Sequence, residues 1–100
     1  MSEALTVVAK IYPKAGKENE VAALLVKMAD AVKQAAPDCL VARPHRAAKD
    51  PPVFLFYEQY RSRAAFDFHR SAPHLAAYRD KMKELLDRPT EVETYHSLTD

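Results

Sequence analysis

The sequence predicts an α+β domain in which four strands and three helices follow the order β-α-β-β-α-α-β. Two observations support this fold class. Apolar residues alternate with a period of two in four short segments, and they recur with a helical period in the segments between. Proline and the single glycine mark the ends of these segments. A chain of 100 residues that is 48% hydrophobic is expected to form one domain, residues 1–100.

The first half of the chain contains a strand, a helix and a second strand. Residues 5–12 alternate as a strand does, with the odd-numbered positions apolar. Residues 17–36 follow a helical period with one apolar stripe, and Pro37 ends this helix. Cys39–Arg46 is predicted to be a strand. Pro44, which has no N–H to donate, indicates a sheet edge or a bulge there.

The second half begins with the strongest strand signal in the chain, residues 53–60, which are rich in aromatic and branched side chains. Ser62 is placed to cap the helix Arg63–Arg70. A third helix is predicted over residues 73–86 and a last strand over residues 90–98. This order is that of the ferredoxin-like split βαβ topology, with a four-stranded antiparallel sheet and the second helix broken in two.

The first and third strands carry apolar side chains on both faces. Helices can cover only one face of a four-stranded sheet, so the other face would leave residues such as Val8 and Tyr12 in water. An exposed apolar face of this kind usually marks an association surface. We therefore expect a homodimer in which sheet packs on sheet about a two-fold axis.

The charge and motif content exclude several classes of function. The 15 basic and 14 acidic residues are interspersed, so no basic stripe for nucleic acid is expected. No apolar run is long enough to span a membrane, and the N-terminus has no secretory pattern. One cysteine, Cys39, is consistent with a cytoplasmic protein. One glycine, Gly16, leaves no phosphate-binding loop, and His69 and His74 are poorly spaced as metal ligands.

Three ionisable residues, Glu58, His69 and His74, lie beside large apolar side chains on consecutive elements. Glu58 is either an exposed or ion-paired strand residue or a buried carboxylate that orients an imidazole. His69 is either a histidine at the core edge or a base facing the strand of Glu58. His74 lies in the first turn of its helix, where the helix N-terminus disfavours the imidazolium.

The stretch FLFYEQYRSRAAFDFHRSAPHLAAY, residues 54–78, resembles the antibiotic biosynthesis monooxygenase family, and the resemblance extends over nearly the whole chain. It implies a dimeric α+β barrel with a site between sheet and helices in each subunit. Family activities include cofactor-independent oxidation of quinols or anthrones, haem degradation, and isomerisation of a phosphorylated signal. The haem-degrading members typically carry a tryptophan and a first-strand asparagine that this chain lacks.

The resemblance and the residues together predict a cofactor-independent monooxygenase that acts on a quinol, an anthrone or a similar phenol with molecular oxygen. His69 would be the base, Glu58 would orient it, and His74 or Tyr78 would donate to the developing oxyanion. An isomerase or a non-enzymatic binder of a small metabolite is the alternative. A phosphorylated substrate would need cations such as Arg43, Arg46, Arg61 and Arg79. The residues expected to bind the substrate are Phe54, Phe56, Tyr60, Phe66, Tyr78 and Met82.

Overall fold

Four strands and three helices make up the part of the chain that the computed structural model describes, residues 3–99 apart from the side chain of His74. Their order is the predicted one. The third helix differs from the prediction because a short 3-10 turn, Pro73–Leu75, precedes its α-helical part. The elements are β1 (Leu5–Ile11), α1 (Glu18–Ala35), β2 (Cys39–Arg46), β3 (Phe54–Tyr60), α2 (Arg63–Arg70), α3 (Ala76–Leu85) and β4 (Glu91–His96).

The four strands form one antiparallel sheet in the order β2-β3-β1-β4, which confirms the predicted ferredoxin-like topology. β2 lies at one edge, so the missing N–H of Pro44 is tolerated, as expected. A register shift between Cys39 and Val41 marks a bulge at the start of this strand. β4 forms the other edge and pairs with β1.

The core lies between α1 and one face of the sheet. The stripe predicted on α1 is buried, with Val21, Leu25 and Val32 almost inaccessible to solvent. These side chains join Phe54 and Phe56 of β3 in one apolar cluster. Full burial of each such side chain is worth about 1.5–3 kcal/mol, so this cluster is the main stabilising contribution to the fold.

A second, smaller cluster fixes the position of α2. Ser62 caps this helix as predicted, because its Oγ accepts a hydrogen bond from the Ala65 N–H at 3.2 Å. Phe66 then packs against Tyr60, with ring centroids 5.3 Å apart, and both belong to a buried cluster with Leu5 and Val7. These contacts hold α2 over the end of β3.

The face of the sheet away from the helices is only half covered within one chain. Val8 lies opposite Tyr57 in the β1–β3 register, and both side chains are partly exposed. All six residues of β4 are exposed. These observations agree with the expectation of an association surface, and the homodimer itself stays a prediction.

Candidate functional site

A cavity of about 690 Å³ lies between the sheet and the helices. This volume is in the range of small-molecule sites, roughly 300–1,000 Å³. Its walls are mostly apolar, and they come from β1, α1, β3, α2, α3 and β4. The apolar lining consists of Val7, Ala9, Ile11, Leu25, Met28, Val32, Phe56, Phe66, Leu75, Met82 and Val92. The polar lining consists of Glu58, Arg63, His69, Arg70, Arg79, Lys83, Thr90 and Thr94.

Glu58 lies in the wall of this cavity because of its position in β3. It alternates with the buried residues Phe56 and Tyr60, so its side chain points to the helix-covered face, where 13% of it is exposed. The Tyr60 hydroxyl donates a hydrogen bond to Glu58 Oε2 over 2.5 Å. The interpretation of Glu58 as a buried carboxylate is therefore the one that the structure supports.

His69 reaches the same place from α2. It lies one helical turn after Phe66, and both are buried on the face of α2 that packs on the sheet. Its Nε2 lies 3.8 Å from Glu58 Oε2, and only 8% of its side chain is exposed. Its ring packs on that of Tyr60 at 5.3 Å between centroids. The distance of 3.8 Å exceeds that of a hydrogen bond but allows a charge interaction with Glu58 when the imidazole is protonated.

Arg79 of α3 holds the end of α2 that carries His69. Its Nη1 donates to the carbonyl oxygen of Arg70 at 2.5 Å, and its Nη2 donates to that of His69 at 3.4 Å. The carbonyl oxygen of His69 also accepts from the Ala72 N–H at 3.1 Å, so Arg79 adds side-chain contacts at a helix end where backbone N–H groups already contribute. The guanidinium is thus tied to the backbone beside the Glu58–His69 pair.

Burial dominates the electrostatics of the pair. Burial raises the pKa of Glu58 above its ordinary value, while the Tyr60 hydrogen bond and the charge of Arg79 act in the opposite direction. The pKa of Tyr60 is raised strongly, first by its own burial and then by the neighbouring Glu58 charge. Tyr60 therefore keeps its proton and remains a donor to Glu58 at every physiological pH.

Cys39 lies close to Tyr60, and its Sγ donates to the carbonyl oxygen of Val41 at 3.2 Å. Burial, followed by the charge of Glu58, raises the pKa of the Cys39 thiol to about 11. Because the thiolate is the nucleophilic form, this thiol is unreactive near neutral pH.

The structure brings together some of the predicted site residues and separates others. Glu58 and His69 line the cavity, and so do three of the residues predicted to bind substrate, Phe56, Phe66 and Met82. The other three lie outside its lining. Phe54 is in the main core, Tyr60 bonds to Glu58, and Tyr78 packs against the main core. His74 is in the 3-10 turn, and its side chain lies outside the described part of the chain.

Four cationic residues of the described part of the chain line the cavity, and only one of them is among the arginines named from the sequence for a cationic cluster. Of the arginines considered for a cationic cluster, only Arg79 lines the cavity, and Arg61 instead pairs with Asp38 at 3.2 Å. Arg63, Arg70 and Lys83 complete the set. One signal in the sequence pointed to part of it, since Arg79 and Lys83 are four residues apart and flank the inward Met82.

Two further findings concern the described residues as a whole. Within residues 3–99, no group of three or more His, Cys, Asp or Glu side chains is arranged to hold a metal ion. In the same part of the chain, no helix combines the length and the apolar character that crossing a membrane requires.

Comparisons with known proteins agree with this architecture. The family model of antibiotic biosynthesis monooxygenases matches residues 4–81. The Mycobacterium tuberculosis protein Rv0793, which is named as a candidate monooxygenase, is 35% identical over 92 residues, which are 92% of this chain and 89% of that protein.

Solved structures of similar proteins superpose closely on this chain. The structure of Rv0793 superposes with a TM-score of 0.86 and 32% identity, over 97% of each chain. A candidate antibiotic biosynthesis monooxygenase from Caulobacter crescentus superposes with a TM-score of 0.90 over 97% of this chain and 92% of its own. Its identity is 23%, so that likeness concerns the fold alone. From the family match and the likeness to Rv0793, the chain belongs to the antibiotic biosynthesis monooxygenase family.

Proposed function

We propose that this protein is a cofactor-independent monooxygenase that oxidises a quinol, an anthrone or a similar phenolic compound with molecular oxygen. The observation that carries the proposal is the Glu58–His69 pair, buried in the wall of an apolar cavity in a member of this family. A carboxylate and an imidazole at 3.8 Å in an apolar cavity suit proton abstraction from a bound phenol.

The chemistry needs a base more than it needs a metal or a flavin. Ground-state oxygen reacts slowly with neutral closed-shell molecules, but a phenolate or an anthrone anion can transfer an electron to it. Recombination forms a carbon–oxygen bond and a hydroperoxide, and loss of water then leaves the new carbonyl. The reaction balances as anthrone plus O₂ giving anthraquinone plus H₂O, in which one oxygen atom enters the product and the other leaves as water.

In this proposal His69 takes the proton and Glu58 favours the imidazolium that results. Arg79 keeps α2 in place through its two bonds to backbone carbonyls. The role of oxyanion donor predicted for His74 stays a prediction. Tyr78 is less suited to that role, because it packs against the main core and does not line the cavity.

The proposed assembly is a homodimer in which the half-exposed sheet faces pack together. Its support is the partly exposed pair Val8 and Tyr57 on the helix-free face. The wall formed by β4 is exposed within one chain, and a second subunit beside it would shield the cavity from water.

The test is oxygen uptake by the purified protein with anthrone and with 1,4-naphthalenediol. We expect one O₂ consumed per substrate and a product that has gained one oxygen atom, measured by oxygen electrode and mass spectrometry. Activity should survive treatment with a chelator. Substrate turnover without oxygen consumption would favour the alternative, an isomerase, which the cations lining the cavity also suit.

A further inference from the structure

The polar lining of the cavity is strongly biased towards positive charge. Among the lining residues that the structure describes, Arg63, Arg70, Arg79 and Lys83 are cationic and only Glu58 is acidic. The rest of the lining is largely apolar, and charges next to apolar walls are poorly screened. The proposed phenolic substrate does not by itself account for four cations.

The two cations on α2 already have a counter-charge. Arg63 Nε lies 3.6 Å from Asp67 Oδ1, and Arg70 Nη1 lies 3.9 Å from the same oxygen. Both guanidinium groups also lie over the ring of Phe66, at 5.9 Å and 5.4 Å from its centroid. These contacts account for Arg63 and Arg70 as part of the helix surface.

The two cations on α3 have looser contacts with carboxylates: burial raises the pKa of Glu58 and the charge of Arg79 acts to lower it, but Arg79 forms no salt bridge with Glu58. Arg79 and Lys83 are four residues apart on one face of the helix, and neither forms a salt bridge with a carboxylate in the described part of the chain. Arg79 gives two of its five N–H donors to carbonyl oxygens of α2, which fixes the guanidinium and leaves three donors for another acceptor. A fixed guanidinium beside a lysine is a suitable site for an oxyanion.

We infer that the natural ligand is an aromatic acid, whose ring occupies the apolar part of the cavity and whose anionic group, a carboxylate or a phosphate, binds Arg79 and Lys83. This inference rests on the proposed function and adds the substrate class to it. Because Arg79 bonds to the His69 carbonyl, an anion held there would orient the ring beside the Glu58–His69 pair.

The experiment measures binding under argon, so that oxidation plays no part. Isothermal titration calorimetry gives the Kd of 1-naphthol, 1-naphthoate and 1-naphthyl phosphate for the parent protein and for Lys83→Gln and Arg79→Gln. Lys81→Gln is the matched control, because Lys81 is an exposed lysine of α3 that does not line the cavity. Circular dichroism checks the fold of each variant, which matters most for Arg79→Gln.

We expect at least one anion to bind about tenfold or more tightly than 1-naphthol, a difference of about 1.4 kcal/mol. Lys83→Gln and Arg79→Gln should each reduce this preference at least threefold, and Lys81→Gln should bind all three ligands as the parent does. Lys83→Gln should leave the Kd of 1-naphthol unchanged. Arg79→Gln also removes the bonds that hold α2, so for this variant only the ratio of the Kd values is compared. The tighter of the two anions identifies the group as carboxylate or phosphate.

Equal or tighter binding of 1-naphthol would overturn the inference, as would an anion preference that both variants keep, or a folded parent protein that binds none of the three. Such results would leave the proposed function standing if uncharged 1,4-naphthalenediol still drives oxygen uptake. Conversely, an anion preference without oxygen uptake by any quinol would support the site and remove the monooxygenase proposal.

Discussion

The Tyr60 hydroxyl donates a 2.5 Å hydrogen bond to Glu58 Oε2, the carboxylate oxygen that lies 3.8 Å from His69 Nε2. A donor to the charged form of a buried carboxyl favours ionisation, so Tyr60 helps to keep Glu58 anionic in a site where burial opposes it. In the proposed mechanism Tyr60 would therefore be a positioning residue that acts through Glu58, and the structure does not place it in the cavity lining, where a predicted substrate contact would lie.

Tyr60→Phe tests this relationship. Phenylalanine fills the same buried volume but cannot donate, so the pKa of Glu58 should rise further and less of the carboxylate should be present near neutral pH. A hydrogen bond to a charged group is worth about 1.5–3 kcal/mol, so kcat/KM should fall by about tenfold or more. Tyr57→Phe, on the other face of the sheet, is the control. An unchanged pH profile of kcat/KM in Tyr60→Phe would contradict the role.

His69→Ala tests the proposed base. Loss of a positioned general base should lower kcat/KM for oxygen uptake by roughly 10²–10⁴-fold. His45→Ala is the matched control, because the His45 side chain is exposed on β2, does not line the cavity, and has its Nδ1 3.0 Å from the carbonyl oxygen of Arg43. Circular dichroism should show both variants folded. Full activity in His69→Ala would remove this residue from the mechanism.

Glu58→Gln should change how stability depends on pH. Burial, the largest cause, raises the folded-state pKa of Glu58 above 4.5, so the folded protein holds this proton where the unfolded chain has released it. The contribution of Glu58 to stability therefore falls as pH rises through that window. Glutamine resembles the neutral carboxyl and does not titrate.

The Glu58→Gln variant should therefore have a higher Tm than the parent at about pH 8, and this difference should vanish near about pH 4. Each 1 kcal/mol corresponds to roughly 4–8 °C in a domain of this size, so the effect is measurable by thermal denaturation. Glu84→Gln, an exposed change on α3, should shift Tm little at either pH. A parent that is more stable than Glu58→Gln at high pH would show that the charged form is favoured by folding.

Val8→Asp tests the proposed dimer. A buried, unpaired charge at a sheet-on-sheet interface is costly, so this change should dissociate the dimer. Val26→Asp is the control, because Val26 is 56% exposed on the outer side of α1. Sedimentation velocity at micromolar concentration should show a dimer for the parent and for Val26→Asp, and a monomer for Val8→Asp. A monomeric parent would contradict the proposal.

Local signals in the sequence explain why much of the fold was predictable. β2 and α2 have the predicted bounds, because Pro37 ends the preceding helix and Ser62 caps the following one. Parity along β3 also put Glu58 on the correct face. Each of these signals depends on a few neighbouring residues, so tertiary packing did not change the bounds and faces that they predict.

The composition of the cavity was less predictable because it depends on how the helices are rotated. Tyr78 packs inward as expected but towards the main core, while its neighbours Arg79, Met82 and Lys83 flank the cavity. The 3-10 turn before α3 has 3.0 residues per turn instead of 3.6, so its three residues shift the helix phase by roughly 60°. The rotation of α3 about its axis decides whether a polar residue at the edge of its apolar face points to solvent or to the cavity. The periodicity of the sequence does not determine this rotation.

The wall of the cavity formed by β4 has a consequence for ligand exchange. Within residues 3–99, β4 pairs with β1 alone, and all six of its residues are exposed. Its detachment would break one hydrogen-bond ladder and expose no buried side chain of its own, so it costs far less than global unfolding. Transient opening of this strand would uncover the cavity while α1 and its core stay intact. In a single subunit, the amide hydrogens of β4 should therefore exchange with solvent at the frequency with which the cavity opens.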